Sequence, residues 1–227
     1  MLHKTRGIVL GFVKYRESSI IVKIFTENFG LKSFIVNGVR SAKLKKGKIA
    51  LYQPLTQLEL VIYHRPNRSL DRISEARVDA HCHNTGLSFR KTTIAIFLAE
   101  LLGKTLKEEE ENLPLYHFVA RGLSTLDRLE THIENFHLMF MLELAAHLGF
   151  AIPSHRVLNR DHALFDTRDT RMASLVDQLI AGDYGQYVQA SGHERSQVLE
   201  ILIDFYRFHY DNFGEIKSLQ VLKELQQ

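Results

Sequence analysis

The chain has 227 residues, 45% hydrophobic and 24% charged, an ordinary balance for a soluble globular protein and enough length for one large domain or two small ones. The formal net charge of +3 hides an asymmetry: residues 1–80 hold 15 Lys+Arg against 6 Asp+Glu, and the other 147 hold 14 against 20. That distribution aims the N-terminal part at something anionic, while Cys82, the only cysteine, excludes an internal disulfide and a Cys-rich zinc site.

The opening MLHKTRGIVL is too polar for a signal peptide, and the apolar runs are too short to span a bilayer. A soluble, cytoplasmic protein with no membrane contact is expected. GIVLGFVKY reads as a first strand and RESS breaks it; SIIVKIFT is a second, rich in β-branched and aromatic residues. NFG is a turn, with Gly30 free to take a positive φ, and LKSFIVNGVR completes a hairpin. LTQLELVIYH, with Leu55, Leu58, Leu60 and Ile62 alternating imperfectly, is a fourth strand; RPN turns the chain, and SLDRISEARV is a fifth. Five short strands in about eighty residues predict an OB-fold barrel.

From about residue 84 the hydrophobic period becomes helical, with Ile94, Phe97, Leu98, Leu101, Leu102 and Leu106 on one face. KEEEENLP links to LYHFVARGLSTLDRL, whose preceding Pro114 suits a helix start. HIENFHLMFMLELAAHLG is apolar on most sides, as the central helix of a bundle would be, and Gly149 and Pro153 stop it. Residues 154–171 read as polar and irregular with a short hairpin around ALFDTRD, after which MASLVDQLIAG, ERSQVLEILIDFYRFHYDNF and IKSLQVLKELQ are helical. The expected fold is therefore α+β: a five-stranded OB-fold barrel over residues 1–80, followed by an α-helical bundle domain over 81–227.

Catalytic chemistry finds no residues to stand on. No GxSxG, GxxxxGK[ST] or GxGxxG occurs, and KKGK at 45–48 lacks the upstream Gly and the following Ser/Thr of a phosphate loop. His81, Cys82 and His83 are adjacent, whereas zinc ligands are usually separated by two or more residues, so no metal and no cofactor is expected. Glu108 to Glu111 form a solvated acidic run.

The loop NGVRSAKLKKGK between the third and fourth strands is different. It carries Arg40, Lys43, Lys45, Lys46 and Lys48 and no acid, where an OB barrel presents rim loops to ligands. Loop lysines also serve solubility. Density of charge, the basic barrel, and Arg6, Lys14, Arg16, Lys23 and Lys32 on neighbouring strands favour phosphate contact instead. Phe12, Tyr15, Phe25, Phe29 and Phe34 are mostly core in such a barrel, yet one or two left exposed would stack bases for about 1–3 kcal/mol each. These residues alone leave three readings open: a DNA-binding protein, an RNA-binding OB-fold factor, and a scaffold for acidic protein tails.

The stretch TRGIVLGFVKYRESSIIVKIFTENFGLKSFIVNGVRSAK resembles the start of the RecO recombination-mediator family. The matching elements are Gly7–Leu10, Glu17–Ser18, Phe25–Thr26, Gly30, and Gly38 with Arg40; Gln53-Pro54-Leu55 and Ala99–Leu102 are also similar, so the likeness covers about residues 4–105. It implies a non-enzymatic protein that binds single- and double-stranded DNA, anneals complementary strands and helps load recombinase in DNA repair. It implies RecR and the acidic C-terminal tail of the single-strand-binding protein as partners, a nucleoid-associated location, and Arg40, Lys43, Lys45, Lys46 and Lys48 in the DNA-contacting loop. Many relatives hold a four-cysteine zinc module after a segment like Gly149–Pro153. Here SHRVLNRDHALFDTRDTRM contains no cysteine, so the zinc is expected to be absent.

Overall fold

The computed structural model describes residues 1–40, 47–65, 69–79, 88–107, 110–160 and 169–224. Five strands, β1 (Leu2–Tyr15), β2 (Ser19–Thr26), β3 (Gly30–Val36), β4 (Gln57–Tyr63) and β5 (Asp71–Val78), close into a barrel in the order β1-β2-β3-β5-β4, the OB-fold expected from the sequence. A four-residue helix, α1 (Gly47–Ala50), lies between β3 and β4.

Strand β1 closes the barrel because it is long enough to serve two neighbours. Leu2 to Ile8 pair antiparallel with β4, and Gly7 to Tyr15 with β2, with a register shift between Val9 and Gly11. The two ladders overlap at Ile8 and at Gly7, the latter opposite both Thr26 and Leu58. A Cβ there would lie 2.6 Å from Ile24 Cγ2 and 2.9 Å from Leu60 Cδ1, so only glycine lets the side chains of β2 and β4 meet over β1.

Alternation then sorts the side chains. Val9, Ile20, Val22, Ile24, Phe34, Leu58, Leu60 and Ile62 fill the interior, with Val39 and Tyr52 added from the segments that follow β3. The NFG turn closes with Gly30 at φ 63°, and Thr26 Oγ1 donates to the Gly30 carbonyl at 2.8 Å. Two readings of the sequence are corrected. The first strand starts at Leu2 rather than Gly7, its early residues half-exposed and therefore without an apolar signal. Leu55 is not part of the fourth strand: it sits at φ 65° in the preceding turn, its N–H donating to the Val9 carbonyl at 2.6 Å.

The helical elements are α2 (Phe89–Thr105), α3 (Leu113–Arg128), α4 (Phe136–His147), α5 (His155–Arg160), α6 (Thr170–Ala181), α7 (Gly192–His209) and α8 (Leu219–Glu224). The chain forms two compact units, one of Met1–Leu87 with Leu98–Asp127, the other of Ser88–Phe97 with Arg128–Gln227. In the first, α3 covers one side of the barrel. Asn112 Oδ1 caps it by accepting from Leu115 N–H at 3.1 Å, and Tyr116 packs its ring 5.7 Å from that of Phe25, which points away from the barrel interior and is buried all the same. Gln57 reaches Ser124 Oγ at 3.3 Å on the same helix.

In the second unit, α4 is apolar almost all round and buried to match, as expected for a central helix, with α6 and α7 against it. It begins at Phe136; His132, at φ 55°, lies in the turn before. Residues 155–160, read as irregular, form α5, whose first residue is fastened to α6: His155 N–H donates to Asp177 Oδ1 at 2.8 Å, and its Nδ1 lies 2.7 Å from Asp177 Oδ2. The hairpin read around ALFDTRD, residues 163–169, lies outside the described residues apart from Asp169, which caps α6 by accepting from Met172 N–H. Helix α7 opens with a capping box, Ser191 with Glu194, and Arg171 Nε adds a bond to the same glutamate at 2.7 Å. His137 is buried in α4, its ring edge-on to Phe97. Burial, reinforced by the charge of Arg195, holds its imidazole neutral down to about 3.

Two measurements test this account. Gly7→Ala is expected to overpack the barrel and lower the free energy of unfolding by about 1–3 kcal/mol, read as a lower urea midpoint. His137 binds its proton near 6.5 in the unfolded chain but only at about 3 in the fold. The unfolded state therefore holds the extra proton between those values. The associated stability is complete above about 6.5 and is lost as the pH falls through about 3, at a slope of up to ~1.4 kcal/mol per pH unit. A His137→Leu variant should show a flatter stability profile than the parent chain across that window.

Candidate nucleic-acid interface

Residues opposite one another in neighbouring strands share a face, so the register decides which basic side chains act together. Lys23 on β2 pairs with Gly11 on β1 and Ser33 on β3, one step from the interior residues Val22 and Ile24, and is exposed on the outer face. Lys32 pairs with Ile24, which points into the core, so alternation puts it on the other side of the sheet from Lys23. Lys14 pairs with the interior residue Ile20 but lies at the strand end, where the rim leaves it exposed.

The β1–β2 turn and the chain leaving β3 are tied together at that rim. Arg40 N–H donates to the Ser18 carbonyl at 3.0 Å, and Arg40 Nη1 donates to the Arg16 carbonyl at 3.2 Å. Arg16 sits at φ 50° in the left-handed region and carries its guanidinium carbon 5.2 Å from the centre of the Tyr15 ring. Lys14, Arg16 and Arg40 are thus gathered at the point from which the basic loop departs. Lys43, Lys45 and Lys46 lie outside the described residues, and Lys48 is described by its backbone alone, in α1.

Arg6 is committed elsewhere. Its guanidinium holds Glu27 by two bonds, Nε to Oε2 at 2.9 Å and Nη2 to Oε1 at 2.5 Å, and lies 5.9 Å from the centre of the Tyr116 ring. The hydrogen bond to the carboxylate raises the arginine pKa still further, and the same bond lowers that of Glu27. The pair anchors β1, the β2–β3 turn and α3 to one another, a packing role that spacing in the sequence did not disclose.

Of the aromatics, Phe34 is in the core, Phe25 lies under Tyr116, and Phe12 and Phe29 pack against the core, which leaves Tyr15 at the rim. Arg72 and Arg77 were missed by the sequence reading. With Ile35, Val36, Leu51, Tyr52, Ile73 and Glu75 among their neighbours, they line a groove of about 520 Å³ where β3 and β5 part. Alternation with Ile73 in DRISEARV was the available signal for Arg72; Arg77 has the parity of Ile73, and the irregularity of the β4–β5 ladder between Ile73 and Glu75 separates them.

A zinc module of the four-cysteine kind does not fit this chain: residues 150–172 contain no thiolate donor, and His155 is taken up by Asp177. Among the described residues no group of three His, Cys, Asp or Glu is placed to hold a metal ion, and no helix is long and apolar enough to cross a membrane.

Known proteins resemble the chain over nearly its whole length. Residues 1–80 match the family described as "Recombination protein O N terminal" and residues 87–160 the one described as "Recombination protein O C terminal". The "DNA repair protein RecO" of Flavobacterium psychrophilum is 35% identical over 237 residues, 98% of each chain. Its namesakes in Bacteroides fragilis and Christiangramia forsetii are 36% and 32% identical, each over 99% of both chains. The barrel, the helical region that follows it in the chain and these matches agree: the chain belongs to the RecO family of DNA repair proteins.

Proposed function

We propose that this chain is a non-enzymatic recombination mediator, with residues 1–80 as its nucleic-acid-binding domain and 81–227 as its helical domain. The barrel binds single- and double-stranded DNA through phosphate contacts, brings complementary strands together by screening their mutual repulsion, and helps load recombinase. RecR and the acidic tail of the single-strand-binding protein are its partners, in the cytoplasm at the nucleoid. The observation that carries this reading is the rim where Arg40 ties the Arg16 turn to the start of the basic loop, on a barrel segment with a nine-charge excess of Lys+Arg. Phosphates need no fixed side-chain geometry, so lysine ammonium groups suffice for affinity, while an anchored loop base sets where they act.

Fluorescence anisotropy of a labelled single-stranded oligonucleotide across a salt series tests the proposal. The logarithm of affinity is expected to fall with log salt at about −0.7 per phosphate contacted. Lys45→Glu with Lys46→Glu should weaken binding to every sequence alike and shrink that slope by at least about one. Arg6→Ala should lower the melting temperature and leave the slope unchanged, because Arg6 already serves Glu27. An unaltered affinity in the lysine double variant would remove the loop from the interface. Tighter binding to RNA than to DNA of one sequence would replace DNA by RNA as the ligand.

A further inference from the structure

The outer side of the barrel carries one cross-strand row that the basic loop does not explain. Val13 on β1 is opposite Ile21 on β2, Ile21 opposite Ile35 on β3, Ile35 opposite Arg72 on β5, and Arg72 opposite Tyr63 on β4. Its neighbours along β2, β3, β4 and β5 turn to the core side, Ile20, Val22, Phe34, Ile62 and Asp71 buried and Ile73 packed against the core, while on β1 Phe12 packs inward and Lys14 is left exposed at the rim. The row itself faces out, with Val13 63% and Tyr63 50% exposed, Ile21 and Ile35 half-exposed and Arg72 exposed.

Each end of the row combines an aromatic ring with an arginine. Tyr15 lies two residues beyond Val13 on the same side of β1, with the Arg16 guanidinium 5.2 Å from its ring centre. At the far end Tyr63 stands directly opposite Arg72. Between them Ile35 and Arg72 border the groove of about 520 Å³, whose one carboxylate, Glu75, lies 3.5 Å from Arg77. Four inter-strand steps of about 4.8 Å make the row roughly 19 Å long, the lower end of the span that one OB fold covers on a single strand.

We propose that this row is a single-strand track, on which Tyr15 and Tyr63 stack bases while Arg16 and Arg72 hold the adjoining phosphates. The inference rests on the nucleic-acid reading of the barrel and adds to it a means of telling single strands from duplex. The chemistry selects the occupant. An apolar floor with a π-face and a cation at each end matches unpaired bases strung on phosphates. A duplex keeps its base faces stacked inside and offers only phosphates, which the rim lysines and arginines can serve without either tyrosine.

The chain contains no tryptophan, so Tyr15→Trp and Tyr63→Trp each create a single fluorescent reporter. Titrated with a short oligothymidylate at low salt, both are expected to be quenched in step with the anisotropy of the labelled oligonucleotide. With a duplex of the same length the anisotropy should rise and the tryptophan signal stay constant. Tyr15→Leu and Tyr63→Leu should each weaken single-strand binding by about 5- to 150-fold without changing duplex affinity. Tyr15→Phe, which keeps the ring, should restore single-strand binding. Anisotropy that reports binding while neither tryptophan responds would overturn the track, as would equal losses on single strand and duplex in the leucine variants. No anisotropy change in the unsubstituted chain on either ligand would overturn the proposed function itself.

Discussion

Everything in the barrel depends on one strand bonding to two. Because β1 gives its first residues to β4 and its last to β2, the sheet has no free edge on that side, and at Gly7, where both ladders overlap, a Cβ would crowd Ile24 and Leu60. Closure fixes the handedness of every alternation around the ring. Once Ile24 and Leu60 meet over Gly7, the inward set is determined for β2 and β4, and the outward set with it. The outward surface is therefore a by-product of core packing, and needs no separate specification in the sequence.

The same logic explains which charges are available. Lys23 and Lys32 are nine residues apart in a hairpin, and whether they share a face depends on the turn between them and on the register it imposes. The register separates them. Arg6 looks equally free in the sequence, yet its partner Glu27 lies across a strand pair and in the turn beyond, and Tyr116 lies on a helix more than a hundred residues on. Positive charge counted along a chain overstates what a surface can offer a polyanion, because part of it holds the scaffold together. At the opposite rim the reverse holds: Arg40 acts on the backbone of Arg16 and Ser18 and so positions its neighbours as well as adding charge.

How much could be read in advance follows from these distinctions. The second strand, Ser19–Thr26, is found in the sequence at its observed limits, because Ile20, Val22 and Ile24 alternate without interruption into a fully dry interior. The first strand's polar beginning and the turn at Leu55 were not legible, since one lacks the apolar signal and the other displays it in the wrong conformation. Helix α5 was missed because six residues are too few to establish a period. The basic loop stood out by composition alone. Arg72 and Tyr63 did not, because Arg72 becomes a neighbour of Ile35 only through a parallel pairing between strands thirty-odd residues apart in sequence, and Tyr63 joins the row only through Arg72.

That parallel pairing is also the narrowest join in the ring. β3 and β5 are registered only at Phe34 with Asp71 and Ile35 with Arg72, whereas β1 and β4 are registered from Leu2 to Ile8. A closed ring parts where its bonds are fewest, so amide exchange should be graded around the barrel, quickest along this seam and slowest beside Gly7. A strand of nucleic acid laid from Ile21 across Ile35 to Arg72 would act as a splint over the seam. Its binding and the integrity of the barrel would then be thermodynamically linked, each ligand bound raising the cost of opening the ring at its weakest point.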